Sequence, residues 1–477
     1  MKQILLTTCM LTLAMMMPNS VLADVEISEA NFPDAGFRAL VMNLPGGEDG
    51  VLTDEEIGKI DEISFIWPDR FSSLKGIEYL KELRKLSFQG SEITELDLSG
   101  NTKLELVVME GNPIASLNVS GLTSLKTLQC TTSNLTTLDV SGCVALEALD
   151  VSRNVLSKLD LSSCNALQFL TCWENHLEEL ILPQNGKLIS LGCTSNWLKA
   201  LDVSGYPNLV SLHCSGNNLT VLDVSANKKL TELDCSCNQL AALDVSNNKE
   251  LNSLICTNNP LGSLSLTNNA WLKELSCNSC QLTELNLSRC KALCHLGCSD
   301  NSLTRLDLSR NTALDYVTVH NNLLTELDVS ACTVLTELNC SHNKLTSLDF
   351  TGLQKMCQLT CYHNNIDEEH MSSLVNSLPQ VRKDYGRGRG IIYVVSLDAS
   401  EQNVCTKQQV GILKDKNWEV YTEGTHPYEG SEGTAVTSPR VPANGQAAPC
   451  YTLDGRRLTG QPTKGVYIQD GKKVLRR

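Results

Sequence analysis

Ten cysteines occupy one column of a 21-residue beat: Cys130, Cys172, Cys193, Cys214, Cys235, Cys256, Cys277, Cys298, Cys340 and Cys361. Thiols so arranged suggest three chemistries: disulfides, a zinc site or nucleophilic catalysis. On neighbouring parallel strands in register, such side chains sit about 4.8 Å apart with parallel Cα–Cβ vectors. A disulfide wants its Cβ atoms about 3.5–4.5 Å apart, so strain opposes a ladder of bridges. The pairs "CSC" (Cys235, Cys237) and "CNSC" (Cys277, Cys280) fall in different phases and lack a matching second pair, which argues against zinc. Reactive thiols need exposure and a lowered pKa, which a column of equivalent core positions does not offer. Met109, Val151 and Val319 hold the same column elsewhere. The slot therefore asks for small apolar volume, and a free thiol supplies it.

The other chemistry-bearing groups are sparser. Aspartates follow the opening leucine of most units (Asp97, Asp139, Asp160, Asp202, Asp223, Asp244, Asp307, Asp328 and Asp349), and they read as a solvated or turn-bonded face. Neighbours about 4.8 Å apart repel by only about 0.9 kcal/mol in water. "EDGVLTDEE" has Asp49, Gly50 and Glu56 arranged like the second half of an EF-hand loop. Pro45 and Gly47 stand where oxygen ligands belong, so only the turn is expected to remain. His342 and His363 share a phase on neighbouring units, but no metal site and no cofactor are expected. No nucleophile elbow, HExxH or P-loop occurs, so no catalytic residue is assigned and an enzyme is not expected.

These columns need a scaffold that repeats without slippage. Leucine opens thirteen successive units, at Leu96, Leu117, Leu138, Leu159, Leu180, Leu201, Leu222, Leu243, Leu264, Leu285, Leu306, Leu327 and Leu348. An imperfect earlier unit, "LKGIEYLKELRKLSFQGSEIT", precedes them. With the opening leucine as zero, apolar residues recur at +2, +8, +11, +13 and +18, and asparagine fills +16 except at Ser133 and Cys280. "LxC" and "LDV" both alternate with period two, so each half-unit predicts a very short strand, with no room for a full helix. Asparagine has both donor and acceptor for the backbone groups a buried turn would orphan.

Written from +8, the unit is LxxLxCxxNxL followed by xxLDVSxNxx, which resembles the leucine-rich repeat from about residue 74 to 366. The period, with its nested halves, looks like the bacterial variety in secreted surface proteins of the internalin type. The resemblance implies a leucine-rich repeat solenoid of mostly short parallel strands and turns, formally α/β, with a helical N-terminal cap and a small α/β C-terminal cap.

Around the array the chain divides further. Residues 1–23 combine one lysine, an apolar run and a small-residue end, and read as a secretory signal cleaved after Ala23. Residues 24–73 are expected to form the first cap and residues 367–424 the second, with a helix in "DEEHMSSLVNSL" and then a strand–helix–strand pattern. Residues 425–448 are a Pro/Gly/Ser/Ala-rich linker and 449–477 a β tail with two Asp-Gly turns. Its "LDGRR" and "KGVYIQDGKKV" resemble the C-terminal sorting signal of the type IX secretion route in Bacteroidetes-like bacteria. No later segment is apolar enough to span a membrane.

The net charge of −15 excludes a phosphate-backbone footprint and hence nucleic acid as partner. On the outward positions of the "LxC" face most residues are Ser, Thr, Gly or Asn. The larger ones are Phe169 and Trp173 with Trp197 beyond them, His213, then Tyr316, His320, Tyr362 and His363. Rings amid small polar residues are what a recognition surface uses. The expectation is a secreted or cell-surface, monomeric binding or adhesion protein for protein or polysaccharide on host or bacterial surfaces. The alternative is a structural cell-envelope module without a specific ligand.

Overall fold

The computed structural model describes residues 24–66, 71–382 and 388–433, and three further strands, Cys450–Tyr451, Gly465–Gln469 and Lys472–Arg476. The chain forms two compact units: residues up to Leu323 with Ala331–Leu335, and Leu324–Ser330 with Thr336 onward. The proposed signal segment and "LDGRR" lie outside the described residues.

In the first unit, thirteen parallel strands run from Glu62–Ile66 to Tyr316–Thr318, one per coil. Most are only three residues long, and they pair in register, Leu212 beside Leu233 and Leu233 beside Leu254. Each coil turns its apolar positions inward. In the coil opening at Leu222, the side chains of Val224, Leu230, Leu233, Cys235 and Leu240 are almost wholly removed from water. A single coil has no opposite face to bury against, so neighbours must supply it.

The expected second strand column is mostly not a strand. "LDV" pairs as strands only between Glu95–Asp97 and Ser116–Asn118, and between Lys158–Asp160 and Glu179–Ile181. Elsewhere the aspartate side chain competes for the backbone. Asp202 Oδ1 accepts from Ser204 N at 2.9 Å, and Asp223 and Asp244 repeat the bond with Ser225 and Ser246 at 2.9 and 2.8 Å. Tight turns follow, such as Asn227 N to Val224 O at 3.0 Å. An Asx turn satisfies locally what a ladder would satisfy laterally.

Two asparagine columns tie the coils together. Asn196 Nδ2 donates to Cys172 O and Cys193 O at 3.0 and 3.1 Å, while its Oδ1 accepts from Leu177 N at 3.0 Å. The second column sits at +5, where Asn248 Nδ2 donates to Val224 O and Asn227 O, both at 2.9 Å. At +15 the backbone is left-handed in every unit from Gly111 onward, with φ of 52° at Glu174 and 65° at Gly111. Glycine fills that slot only at Gly111 and Gly216 among these units.

All nineteen cysteines from Cys130 to Cys405 are free thiols. Burial pushes Cys193, Cys298 and Cys340 up to about 12, and Cys172 and Cys214 well above the ordinary thiol range. They stay protonated and pack as small apolar groups.

Aromatic rings collect in the N-terminal cap, where the leucine core ends. Phe65 stacks on Phe88 at 5.1 Å and meets Phe71 edge-on at 4.5 Å. The helix Ala35–Met42 starts at Asp34, which accepts from Phe37 N and also from Ser72 N and Oγ. In the EF-hand-like turn, Glu56 accepts from Thr53 N at 2.8 Å in a capping box and Asp49 from Val51 N at 3.0 Å.

In the second unit, strands Glu337–Asn339 and Gln358–Thr360 continue in parallel into Gly390–Val395 and Trp418–Thr422. The helix Lys407–Asp415 joins the last two as a βαβ crossover, packed on the helix Glu368–Ser377. Gly390 is required there, because a Cβ would lie 2.5 Å from the Trp418 ring. Residues 425–433, linker-like in composition, are tied back by Tyr428 Oη to Cys405 O at 2.9 Å and by a Thr406–Ser431 bridge. The three C-terminal strands form an antiparallel sheet. No helix among the described residues is long and apolar enough to cross a membrane.

Candidate functional site

Along the strand ribbon the side chains at +10 and +12 point outward from a backbone fixed on both sides by its neighbours. Whatever binds there meets a pre-ordered row, with little side-chain ordering left to do. In the first unit this row dips into a groove of about 410 Å³ around Gly297, lined by Glu274, Ser276, Asn278, His295, Tyr316 and Thr318. Gly297 supplies the floor: a Cβ there would stand 3.1 Å from Asn278 Nδ2. Tyr316, 38% exposed, forms one wall, its ring edge-on to His295 at 6.3 Å. The polar groups are held in place. Ser253 Oγ donates to Glu274 Oε2 at 2.9 Å, Asn278 Nδ2 donates to Ser276 Oγ at 2.9 Å, and His295 Nε2 lies 3.2 Å from Asp315 Oδ1.

The remaining sequence-derived candidates scatter. Phe169 opens a strand and is 47% exposed. Trp173 lies beneath the Arg153 guanidinium, 4.5 Å from its ring centre. Trp197 is 49% exposed but sits past the asparagine turn, stacked on His176 at 4.5 Å. Neither tryptophan contacts Phe169 among the ring contacts of the described residues. His320 Nε2 faces Asp300 at 3.5 Å. In the second unit Tyr362 meets His363 and His342 edge-on, at 5.6 and 5.3 Å. Tyr316 and His320 thus belong to one unit, Tyr362 and His363 to the other. Glu274, Asn278, His295 and Gly297 were not singled out from sequence. Their signal is vertical: each is ordinary alone, and the groove exists only because His295 stands beside Tyr316 and Gly297 beside Thr318.

One cluster imitates catalytic machinery. Ser211 Oγ is 2.8 Å from His213 Nε2, and Glu232 Oε2 lies 3.8 Å from the same nitrogen. A relay needs the carboxylate on the other ring nitrogen, to fix the tautomer while Nε2 takes the proton. With both partners on Nε2, the cluster is a polar brace between strands.

Short parallel strands, one per coil, closed by buried asparagine ladders over a leucine core, define a leucine-rich repeat solenoid. Residues 207–250 match the family of leucine-rich repeats in two copies. The functional domain of InlJ from Listeria monocytogenes, described as including a cysteine ladder, is 31% identical over 71% of this chain and 81% of that one, with a TM-score of 0.58. A leucine-rich repeat protein of Leptospira interrogans shares the fold at 22% identity, covering 68% of this chain and 89% of its own, with a TM-score of 0.61. None of the curated proteins compared matches the chain. The chain belongs to the leucine-rich repeat family, in its bacterial form.

Proposed function

We propose that the protein is an exported binding protein that engages a protein or polysaccharide surface through its strand ribbon. The observation that carries this reading is the groove around Gly297. A rigid row offers a carboxylate, an amide, an imidazole and an exposed ring within one depression. Such a set recognises hydroxyl-rich or peptide ligands by stacking and hydrogen bonding. Phe169, Trp173, Trp197, His213 and His320 would extend contact beyond the groove, and Tyr362 and His363 would do so on the second unit. Binding rather than turnover fits the Ser211–His213–Glu232 cluster, where hydroxyl and carboxylate share one ring nitrogen. Export is supported by the composition of residues 1–23. Sorting by a type IX route, and with it a Bacteroidetes-like source, is supported by the C-terminal motif.

Immobilised mature protein screened against extracellular matrix proteins and glycans should retain a partner. Tyr316→Ala and Glu274→Gln should each weaken retention several-fold, while the exposed Val144→Ala leaves it unchanged. Retention indifferent to Tyr316, Glu274 and Trp173 would remove the ribbon from the account.

A further inference from the structure

We propose that the second unit carries a transition-metal site formed by His342, His363 and Glu423, with the Asp398 carboxylate beside His363. His342 and His363 hold the same position of successive repeats, and both take the left-handed backbone at φ 52°. The two rings therefore leave their coils in the same direction and stack, with centroids 4.3 Å apart and planes 29° from parallel. Glu423 follows the last strand of the βαβ cap. Its Oε2 lies 3.6 Å from His363 Nε2 and its Oε1 4.0 Å from His342 Nε2. The three donor atoms all lie within 4.8 Å of one another. A tetrahedral zinc with bonds of about 2.0–2.1 Å holds its donors about 3.3–3.4 Å apart, so adjustments of up to about 1.5 Å complete the geometry.

The surroundings prepare these donors. Ser396 Oγ donates to Glu423 Oε2 at 2.7 Å. Ser400 N and Oγ both donate to Asp398 Oδ1 at 2.7 Å, and Oδ2, 3.3 Å from Ser396 Oγ, faces His363 Nε2 at 2.9 Å. Ser400 Oγ also lies 3.5 Å from His363 Nδ1, the ring nitrogen that does not face the carboxylates. Partners on the non-ligating nitrogen and on the carboxylates are what orients a metal shell. Glu401 is excluded as a ligand, because it accepts the backbone N–H groups of His363, Ser396 and Asn403 at 2.9, 2.6 and 2.8 Å. The His363 side chain is 9% exposed, whereas His342 and Glu423 remain open enough to admit an ion. Two neutral imidazoles with a carboxylate suit a borderline divalent ion of the zinc, nickel or copper kind rather than calcium or magnesium.

The test uses the full chain, reduced and stripped of metal, titrated with Co2+ by absorbance and with Zn2+ against a chromogenic chelator. One Co2+ per chain is expected, with visible d–d bands and no thiolate charge-transfer band in the near ultraviolet. The His342→Ala/His363→Ala double variant should keep the wild-type circular dichroism and lose more than about tenfold in affinity. If it does not fold, His342→Gln at the more open ring should show the same loss. Cys237→Ser, at the exposed thiol, should change nothing. Absence of saturable binding, a thiolate charge-transfer band, or affinity unchanged in a folded histidine variant would each overturn the site.

Discussion

Replacing Asn196 by alanine isolates one rung of the turn ladder. Asn196 is 3% exposed and sits between coils. Its Oδ1 is the acceptor for Leu177 N at 3.0 Å, and alanine leaves that N–H buried with no acceptor. An orphaned buried donor costs about 1–3 kcal/mol. The carbonyls suffer less, because each is shared. Cys172 O also receives Asn175 Nδ2 at 3.2 Å, and Cys193 O receives Asn217 Nδ2 at 3.0 Å. Losing one of two donors at each carbonyl forfeits roughly 0.5–1 kcal/mol apiece. The sum is about 2–5 kcal/mol, against less than about 0.5 for the exposed control Asn165→Ala. Urea unfolding followed by circular dichroism gives the difference, and amide exchange at Leu177 should quicken selectively. Repeat arrays can unfold in parts, so the exchange measurement decides where the loss falls. A cost indistinguishable from the Asn165 control would refute the ladder's role.

Three further outcomes follow from the same geometry. Thr132 is exposed and β-branched at φ 53°, so Thr132→Gly should raise stability by about 1 kcal/mol in urea titrations. Hydrogen bonds from the hydroxyl and then the amide of the next serine but one hold Asp202 and Asp223 below the ordinary 3.8. Depressed folded-state values give stability that is present above about pH 4 and lost as pH falls through them. The melting temperature should therefore decline below pH 4, and less steeply in Asp202→Asn/Asp223→Asn, which keeps the acceptor without the acid. At Cys193, valine should cost less than about 1.5 kcal/mol and serine about 2 kcal/mol, since serine buries a hydroxyl in an apolar slot.

Much of this architecture was legible in the sequence because a solenoid writes its contacts as a period. Residues 21 apart become neighbours, so the Cys193 and Asn196 columns show what faces the interior. The left-handed column was hidden because Glu174, Ser195 and His342 occupy it instead of glycine. The second strand was over-read because Asp202 and Ser204 alternate like a strand while bonding as a turn. The +5 asparagines stood in the repeat, but their role emerges only when Asn248 is seen reaching the carbonyl of Asn227. Groove and metal cluster share one cause of invisibility. Gly297 matters through Asn278 and Tyr316, and His363 through Glu423 on a separate element.

The central claim is that the cysteine column lines a dry interior as free thiols, and counting reactive thiols tests it most directly. Native, unreduced protein treated with a maleimide and mapped by mass spectrometry should be modified quickly at Cys237 and more slowly at the half-buried Cys294 and Cys357. Cys172, Cys193, Cys214 and Cys256 should react only after unfolding, and then without reductant. Rapid native labelling of those four, or their failure to label once unfolded, would contradict the account.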